Sequence, residues 1–207
     1  MGCPDRSFYL RPTEIVAKEL IGKRLVRILE DRSNHRLERL SGIIVETEAY
    51  GEADDRASHA YRGLTFRNRP MFGEVGRTYV YFIYGNHFCL NVSARSDERR
   101  AGAVLLRALG PCEGIHIMNK LRNSQSIHDL TSGPGKICQA MDISKSQNYL
   151  DMTDPQSELR IEYVKEDCIR DINVTQRVRV RYATNKKWRF AINPVQLDKK
   201  IQAVGSQ

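Results

Sequence analysis

Thr78-Tyr79-Val80-Tyr81-Phe82-Ile83-Tyr84, then Gly85-Asn86, then His87-Phe88-Cys89-Leu90-Asn91, reads as two β-strands joined by a turn. Aromatic and β-branched residues fit a pleated, half-buried surface, and Gly-Asn supplies the positive backbone angles that tight hairpin turns require. Tyr84 would sit at the tip of this hairpin. A large ring in that place has two accounts: a stacked base covers it, or it folds back against the edge of its own sheet.

Upstream, Ser41-Gly42-Ile43-Ile44-Val45 runs into Glu46-Thr47-Glu48-Ala49-Tyr50, a further strand. Strand side chains alternate, so Glu46, Glu48 and Tyr50 point one way while Val45, Thr47 and Ala49 point the other. Two carboxylates and a ring therefore share one surface. Thr13 to Gly22 reads as a helix capped by Thr13 and stopped by Gly22, ahead of a strand near Lys23 to Leu29. Ser132-Gly133-Pro134-Gly135-Lys136 precedes a helix start at Ile137-Cys138-Gln139-Ala140-Met141. Its glycine spacing is wrong for a nucleotide-binding P-loop, and a phosphate at the helix N-terminus and simple capping stand as the open readings.

Thirty-three Lys and Arg against 25 Asp and Glu give a net charge of +8 and a pI near 9.4. That excess favours a polyanionic partner without specifying a fold. Arg62, Arg67 and Arg69, and then Arg95, Arg99 and Arg100, form clusters that could line a groove. Arg177-Val178-Arg179-Val180-Arg181-Tyr182 alternates charged and apolar residues at the strand period, which predicts a row of three arginines on one face with Val178, Val180 and Tyr182 toward the core.

The 207 residues are 41% apolar and no Gly/Ser/Pro-rich linker divides them, so one domain over residues 1–207 is expected, with a mobile tail from Lys199 onward. Five widely spaced cysteines, Cys3, Cys89, Cys112, Cys138 and Cys168, argue against a disulfide framework or a cysteine zinc site, and point to a reducing compartment. No histidine spacing suits a metal, so neither metal nor cofactor is expected. No signal, transit or membrane-length segment is evident, which points to the cytoplasm in a bacterium, or the nucleus in a eukaryote, and to no membrane partner.

Glu46-Thr47-Glu48-Ala49-Tyr50, Ala57-Ser58-His59, Arg67-Asn68-Arg69, Met71-Phe72, Tyr79 to Gly85, Asn91, Leu105-Leu106-Arg107-Ala108-Leu109 and Ser132 to Lys136 together resemble the alkyladenine (3-methyladenine) DNA glycosylase family. The motifs fall in family order over residues 8 to 192. The resemblance implies an α+β domain with a curved antiparallel sheet, surrounding helices and a protruding hairpin. It implies a monomeric repair enzyme that flips a damaged purine out of double-stranded DNA and hydrolyses its bond to the sugar, leaving an abasic site. Glu48 would activate water, with Arg107 holding the water and the carboxylate. Tyr50, His59 and Tyr81 would wall the base pocket, Asn91 would discriminate at the purine edge, and Tyr84 would fill the gap in the duplex. Arg62, Arg67, Arg69 and Lys136 are candidates for backbone contact. No lysine matches a position for a covalent imine, so plain hydrolysis is implied.

These roles constrain the hairpin. A two-residue Gly85-Asn86 loop would put Tyr81 and Asn91 on opposite faces. A three-residue loop, Gly85 to His87, would pair Tyr84 with Phe88 and Tyr81 with Asn91, so a three- or five-residue turn or a bulge is expected.

The chain departs from the family pattern in places. Asn86 stands where many relatives carry methionine, Phe66 where proline is common, and Thr184-Asn185-Lys186-Lys187 replaces a stretch that usually holds glycine and an acid. Two rival readings remain. One is a non-catalytic nucleic-acid module stacking bases on Tyr79, Tyr81 and Phe82. The other is a carbohydrate hydrolase using Glu46 and Glu48, about 7 Å apart on one strand face, as an acid pair.

Overall fold

A computed structural model describes residues 2–31, 35–83, 85–124, 126–164 and 171–192. Among them the long strand β2 (Arg36–Tyr50) organises one antiparallel, curled sheet. Its first half pairs with β1 (Arg24–Asp31), and its second half pairs with β5 (Ala103–Glu113) on the opposite edge. Where β1 has ended, β8 (Arg189–Ile192) takes its side of β2, opposite Glu46 to Glu48, and β7 (Ile172–Thr175) pairs with β8. Beyond β5 lies the hairpin β3 (Thr78–Ile83) and β4 (His87–Ser93), and β6 (Leu159–Glu162) closes the far edge against β1.

One sheet face carries the core. Thr47, Ala49, Leu90, Val92, Val104 and Leu106 are fully buried there, together with Val80. Against this face pack α2 (Thr13–Leu20), through Val16, Ala17 and Leu20, and α6 (Pro134–Ala140), through Ile137 and Cys138. Each Val, Leu or Ile side chain among these contributes about 1.5–3 kcal/mol through burial. The short helices α1 (Arg6–Tyr9), α3 (Arg69–Phe72), α4 (Ile115–Arg122) and α5 (Ile127–Leu130) complete the surround, so the expected α+β class with a curved antiparallel sheet holds.

The helix expected from Thr13 is present, but Thr13 does not cap it. Its hydroxyl donates to the Ala94 carbonyl at 2.8 Å, tying α2 to the end of β4, and Pro12 precedes the helix without a side-chain cap. Gly22, with φ of +90°, turns the chain into β1. In the hairpin, Ile83 opposes His87, Tyr81 opposes Cys89 and Tyr79 opposes Asn91. Three positions connect the strands, one residue earlier than Gly85 to His87, and the odd count puts Tyr79, Tyr81, Cys89 and Asn91 on a single face as the sequence required.

The expected strand at Arg177 to Tyr182 is a correction. The segment is a loop in which Arg179 has φ of +56°, Arg177 is buried, and Val178 and Tyr182 are exposed. The alternating residue types do not sort onto two faces here: Arg177 alone is drawn inside, by the Asp55 carboxylate, and the residues after it stay wholly or partly exposed. No helix among the described residues is long and apolar enough to cross a membrane. Tyr84, Cys168 and the tail expected from Lys199 lie outside the described residues.

Candidate active site

The register of β3, β4, β5 and β2 builds a floor on the face opposite the core. Tyr79 and Tyr81 on β3, Cys89 and Asn91 on β4, Ala103, Leu105 and Arg107 on β5, and Tyr50 on β2 all point into one cleft of about 640 Å³. The register slips where β2 passes Glu46, between Ile44 opposite Leu109 and Thr47 opposite Leu106. Bulges re-aim side chains, and here Arg107 turns toward both strand carboxylates. The roof is the loop Val178 to Tyr182, and the Arg56 guanidinium, 4.7 Å from the Tyr182 ring centre, bridges from the opposite wall.

Glu48 lies beneath this cleft with no exposed surface. One oxygen accepts the Val178 N–H at 2.7 Å; the other accepts the Tyr50 hydroxyl at 2.8 Å and faces Arg107 Nη1 at 3.4 Å. A buried carboxylate is tolerated only with such donors around it. Burial and the neighbouring Glu48 push the Tyr50 phenol far above its ordinary range, so it stays a donor. Glu46 has a different setting. Burial would raise its pKa, but hydrogen bonds from Arg189 Nε at 2.6 Å and Arg107 Nε at 2.7 Å outweigh that and hold it below the usual range. Arg107, for its part, is desolvated but held charged by Glu48 and Glu46.

His59 stands at the cleft wall with Nδ1 2.9 Å from the Tyr79 hydroxyl and its ring edge-on to Tyr81 at 4.7 Å. Burial, then the charge of Arg67, lowers its pKa to about 4. Burial likewise raises Tyr79 to about 12 and the Cys89 thiol on the floor. Asn91 is nearly buried, and its amide donates to the Tyr79 carbonyl at 2.9 Å, which fixes its orientation in the floor.

The structure thus brings Glu48, Arg107, Tyr50, His59, Tyr81 and Asn91 together. Among the basic candidates, Lys136 lines the rim but is held by Asp129 and by Ser132 at 3.0 Å. Arg67 donates to the Phe82 carbonyl at 3.0 Å with its guanidinium 5.1 Å from the Tyr81 ring centre. Arg62, Arg67 and Arg69 form no ion pair among the described residues, and Leu64 and Phe66 between them are exposed, Phe66 by 78%. The second cluster differs: Arg99 pairs with Asp54, Arg100 with Glu52, and Arg95 donates to the Gly73 carbonyl. Both rivals lose their geometry. Tyr79 is 1% exposed and Phe82 packs on Phe88 across the other hairpin face, so Tyr79, Tyr81 and Phe82 do not form one flat stacking platform. Glu46, clamped by two guanidiniums, is no proton donor.

Sequence reasoning missed three parts of the site. The Val178 N–H carries no side-chain signal at all. Arg189 opposite Glu48 on β8, aimed at Glu46, sits in a segment too short to read as a strand. Asp55, fully buried and bonded to Arg177, lies in the irregular stretch between Tyr50 and His59, where a lone acid after a turn looks like solvated loop.

A family model for methylpurine-DNA glycosylase matches residues 7–195. A protein of Methanocella arvoryzae is 43% identical over 189 residues, covering 89% of this chain and 90% of its own. One of Clostridium botulinum (strain Loch Maree / Type A3) is 40% identical over 201 residues, covering 90% and 94%. Both are named "Putative 3-methyladenine DNA glycosylase".

Proposed function

The chain belongs to the methylpurine-DNA glycosylase family, and we propose on that premise that it excises alkylated purines such as 3-methyladenine from duplex DNA by hydrolysis at the sugar. The observation that carries this reading is the buried Glu48 carboxylate, held by Val178 N–H, Tyr50 and Arg107 directly beneath an aromatic cleft.

The flipped base enters between Tyr50, His59 and Tyr81. Extruding it costs a few kcal/mol of stacking, which the wedge residue Tyr84 and the aromatic walls offset. Each aromatic contact with a cationic purine contributes about 0.5–2 kcal/mol. A neutral His59 suits that charge, because an imidazolium would repel it. Asn91 meets the purine edge and opposes groups that an intact guanine carries.

In the reaction, a water oxygen bonds to the anomeric carbon and the base–sugar bond breaks, its electron pair passing to the purine. The water proton goes to Glu48. An alkylated purine already positive leaves as a neutral molecule, so no second acid is required; this agrees with Glu46 being locked to Arg107 and Arg189. Arg107 holds Glu48, with Nη1 3.4 Å from its oxygen, and orients the water beside them. Arg62, Arg67 and Arg69 neutralise phosphates, and the exposed Phe66 beside them supplies apolar contact near the hairpin, whose tip carries Asn86. The protein acts on the duplex as a monomer.

The deciding experiment follows release of 3-methyladenine from methylated duplex DNA by the wild type and by Glu48→Gln, with duplex binding measured in parallel. Release abolished in Glu48→Gln with binding retained is the expected result. Binding without release by the wild type would reduce the fold to a nucleic-acid module.

A further inference from the structure

We infer that the Asp55–Arg177 ion pair is a positioning unit for this reaction, holding Glu48 and Tyr50 in working geometry from outside the cleft; the inference rests on the reading of the site given above. Both side chains are completely buried. The pair is bidentate, with Arg177 Nη1 2.6 Å from one Asp55 oxygen and Nη2 2.7 Å from the other. The guanidinium also donates to the Ala49 carbonyl at 3.0 Å and the Ala183 carbonyl at 3.5 Å. Asp55 in turn accepts the N–H groups of Gly51 at 3.0 Å and Ala57 at 3.2 Å.

Three segments that share no regular secondary structure are joined at this point: the end of β2, the stretch from Tyr50 to His59, and the roof loop. The guanidinium lies 4.7 Å from the Tyr50 ring centre and 5.5 Å from that of Trp188, sandwiched between them. The very next backbone N–H after Arg177, that of Val178, donates to Glu48. Fixing Arg177 therefore fixes one donor on the carboxylate, and the ring above it that supplies another.

Residues 178 to 182 line the cleft whereas Arg177 and Asp55 do not, so the pair acts through its neighbours and not on substrate. A buried ion pair is a poor device for stability alone, since apolar residues of similar volume often do as well. What a guanidinium fork adds is direction: two parallel bonds to one carboxylate fix a plane, and the plane fixes the chain that carries it.

The test uses the full-length protein and methylated duplex DNA. Arg177→Lys keeps the charge and loses the fork; Val178→Pro removes the N–H and keeps both ionic side chains. Each is expected to slow single-turnover release at saturating enzyme by about tenfold to a hundredfold, the scale of a small misplacement of catalytic groups, with duplex affinity close to wild type. The double variant should lose less than the product of the two single losses, because both variants disturb the Val178 donor, while Arg177→Lys alone also loosens Tyr50. If Arg177→Lys fails to fold, Asp55→Asn with Arg177→Gln removes both charges together and takes its place in the cycle. Emission of Trp188, the sole tryptophan, checks that the loop is seated. Wild-type release rates in a folded variant, or losses that multiply in the double variant, would overturn the inference. Absence of release by the wild type would instead remove the reading on which it rests.

Discussion

His59 shares a hydrogen bond with the Tyr79 hydroxyl, and burial together with Arg67 lowers its pKa to about 4. The unfolded chain takes up this proton near its ordinary value of about 6.5. Between those values the unfolded state binds more protons than the folded one, so stability is fully present above the higher value and declines as pH falls toward the lower. Urea unfolding at pH 7 and at pH 5 should show a loss in the wild type that shrinks in His59→Gln; equal losses would contradict an imidazole held neutral. At this scale the sequence was informative where chemistry and order coincide. Glu48, Tyr50, His59, Tyr81, Asn91 and Arg107 were each nameable from motif and family order; one sheet face carries five of them, and His59 joins them from the loop after β2. A backbone donor such as Val178 N–H has no letter in the sequence to announce it.

Among the elements, the roof loop decides the electrostatics. Arg177, Arg179 and Arg181 looked equivalent in the sequence, but the first is buried against Asp55 while the other two line the cleft without an ion pair among the described residues. Arg179→Ala with Arg181→Ala should therefore lower the slope of log affinity against log salt for undamaged duplex by about 0.9 per lost phosphate contact. A change at Arg177 should leave that slope alone, and fluorescence anisotropy across a salt series separates the two. The strand expected there failed because alternation of residue types is not alternation of burial: Arg177 is drawn inside by Asp55, while Val178 and Tyr182 stay exposed. By contrast the hairpin parity was readable, since Tyr81 and Asn91 can share a face only if the connection is odd. Its placement one residue earlier depended on where Gly85, at φ of +73°, fell in the turn, which composition does not fix.

For the molecule as a whole, helix α2 and the sheet meet at Gly102, just before β5. A Cβ there would stand 2.4 Å from the Ala94 carbonyl and 2.5 Å from the Thr13 hydroxyl, the same hydrogen bond that ties α2 to β4. Gly102→Ala must push strand or helix aside, at about 1–3 kcal/mol. For a chain of this size that corresponds to a fall in Tm of about 2–4 °C per kcal/mol. Differential scanning calorimetry would show it, and an unchanged Tm would mean that the α2 junction gives way freely. Internal pairing matches Arg99, Arg100, Arg107, Arg177 and Arg189 to carboxylates, whereas Arg62, Arg67, Arg69, Arg179 and Arg181 form no ion pair among the described residues, so part of the basic excess stands at the cleft roof and on the Arg62 to Arg69 loop.

The thiol on the cleft floor carries a consequence for where such a protein can work. Burial holds Cys89 and Cys138 above the ordinary thiol range, so at neutral pH both are protonated, and thiols react with electrophiles far more slowly than thiolates. The methylating agents that create damaged purines attack soft nucleophiles throughout the cell. On the function proposed above, the agents that create the lesions would methylate a buried, protonated Cys89 more slowly than they would a thiolate in the same place.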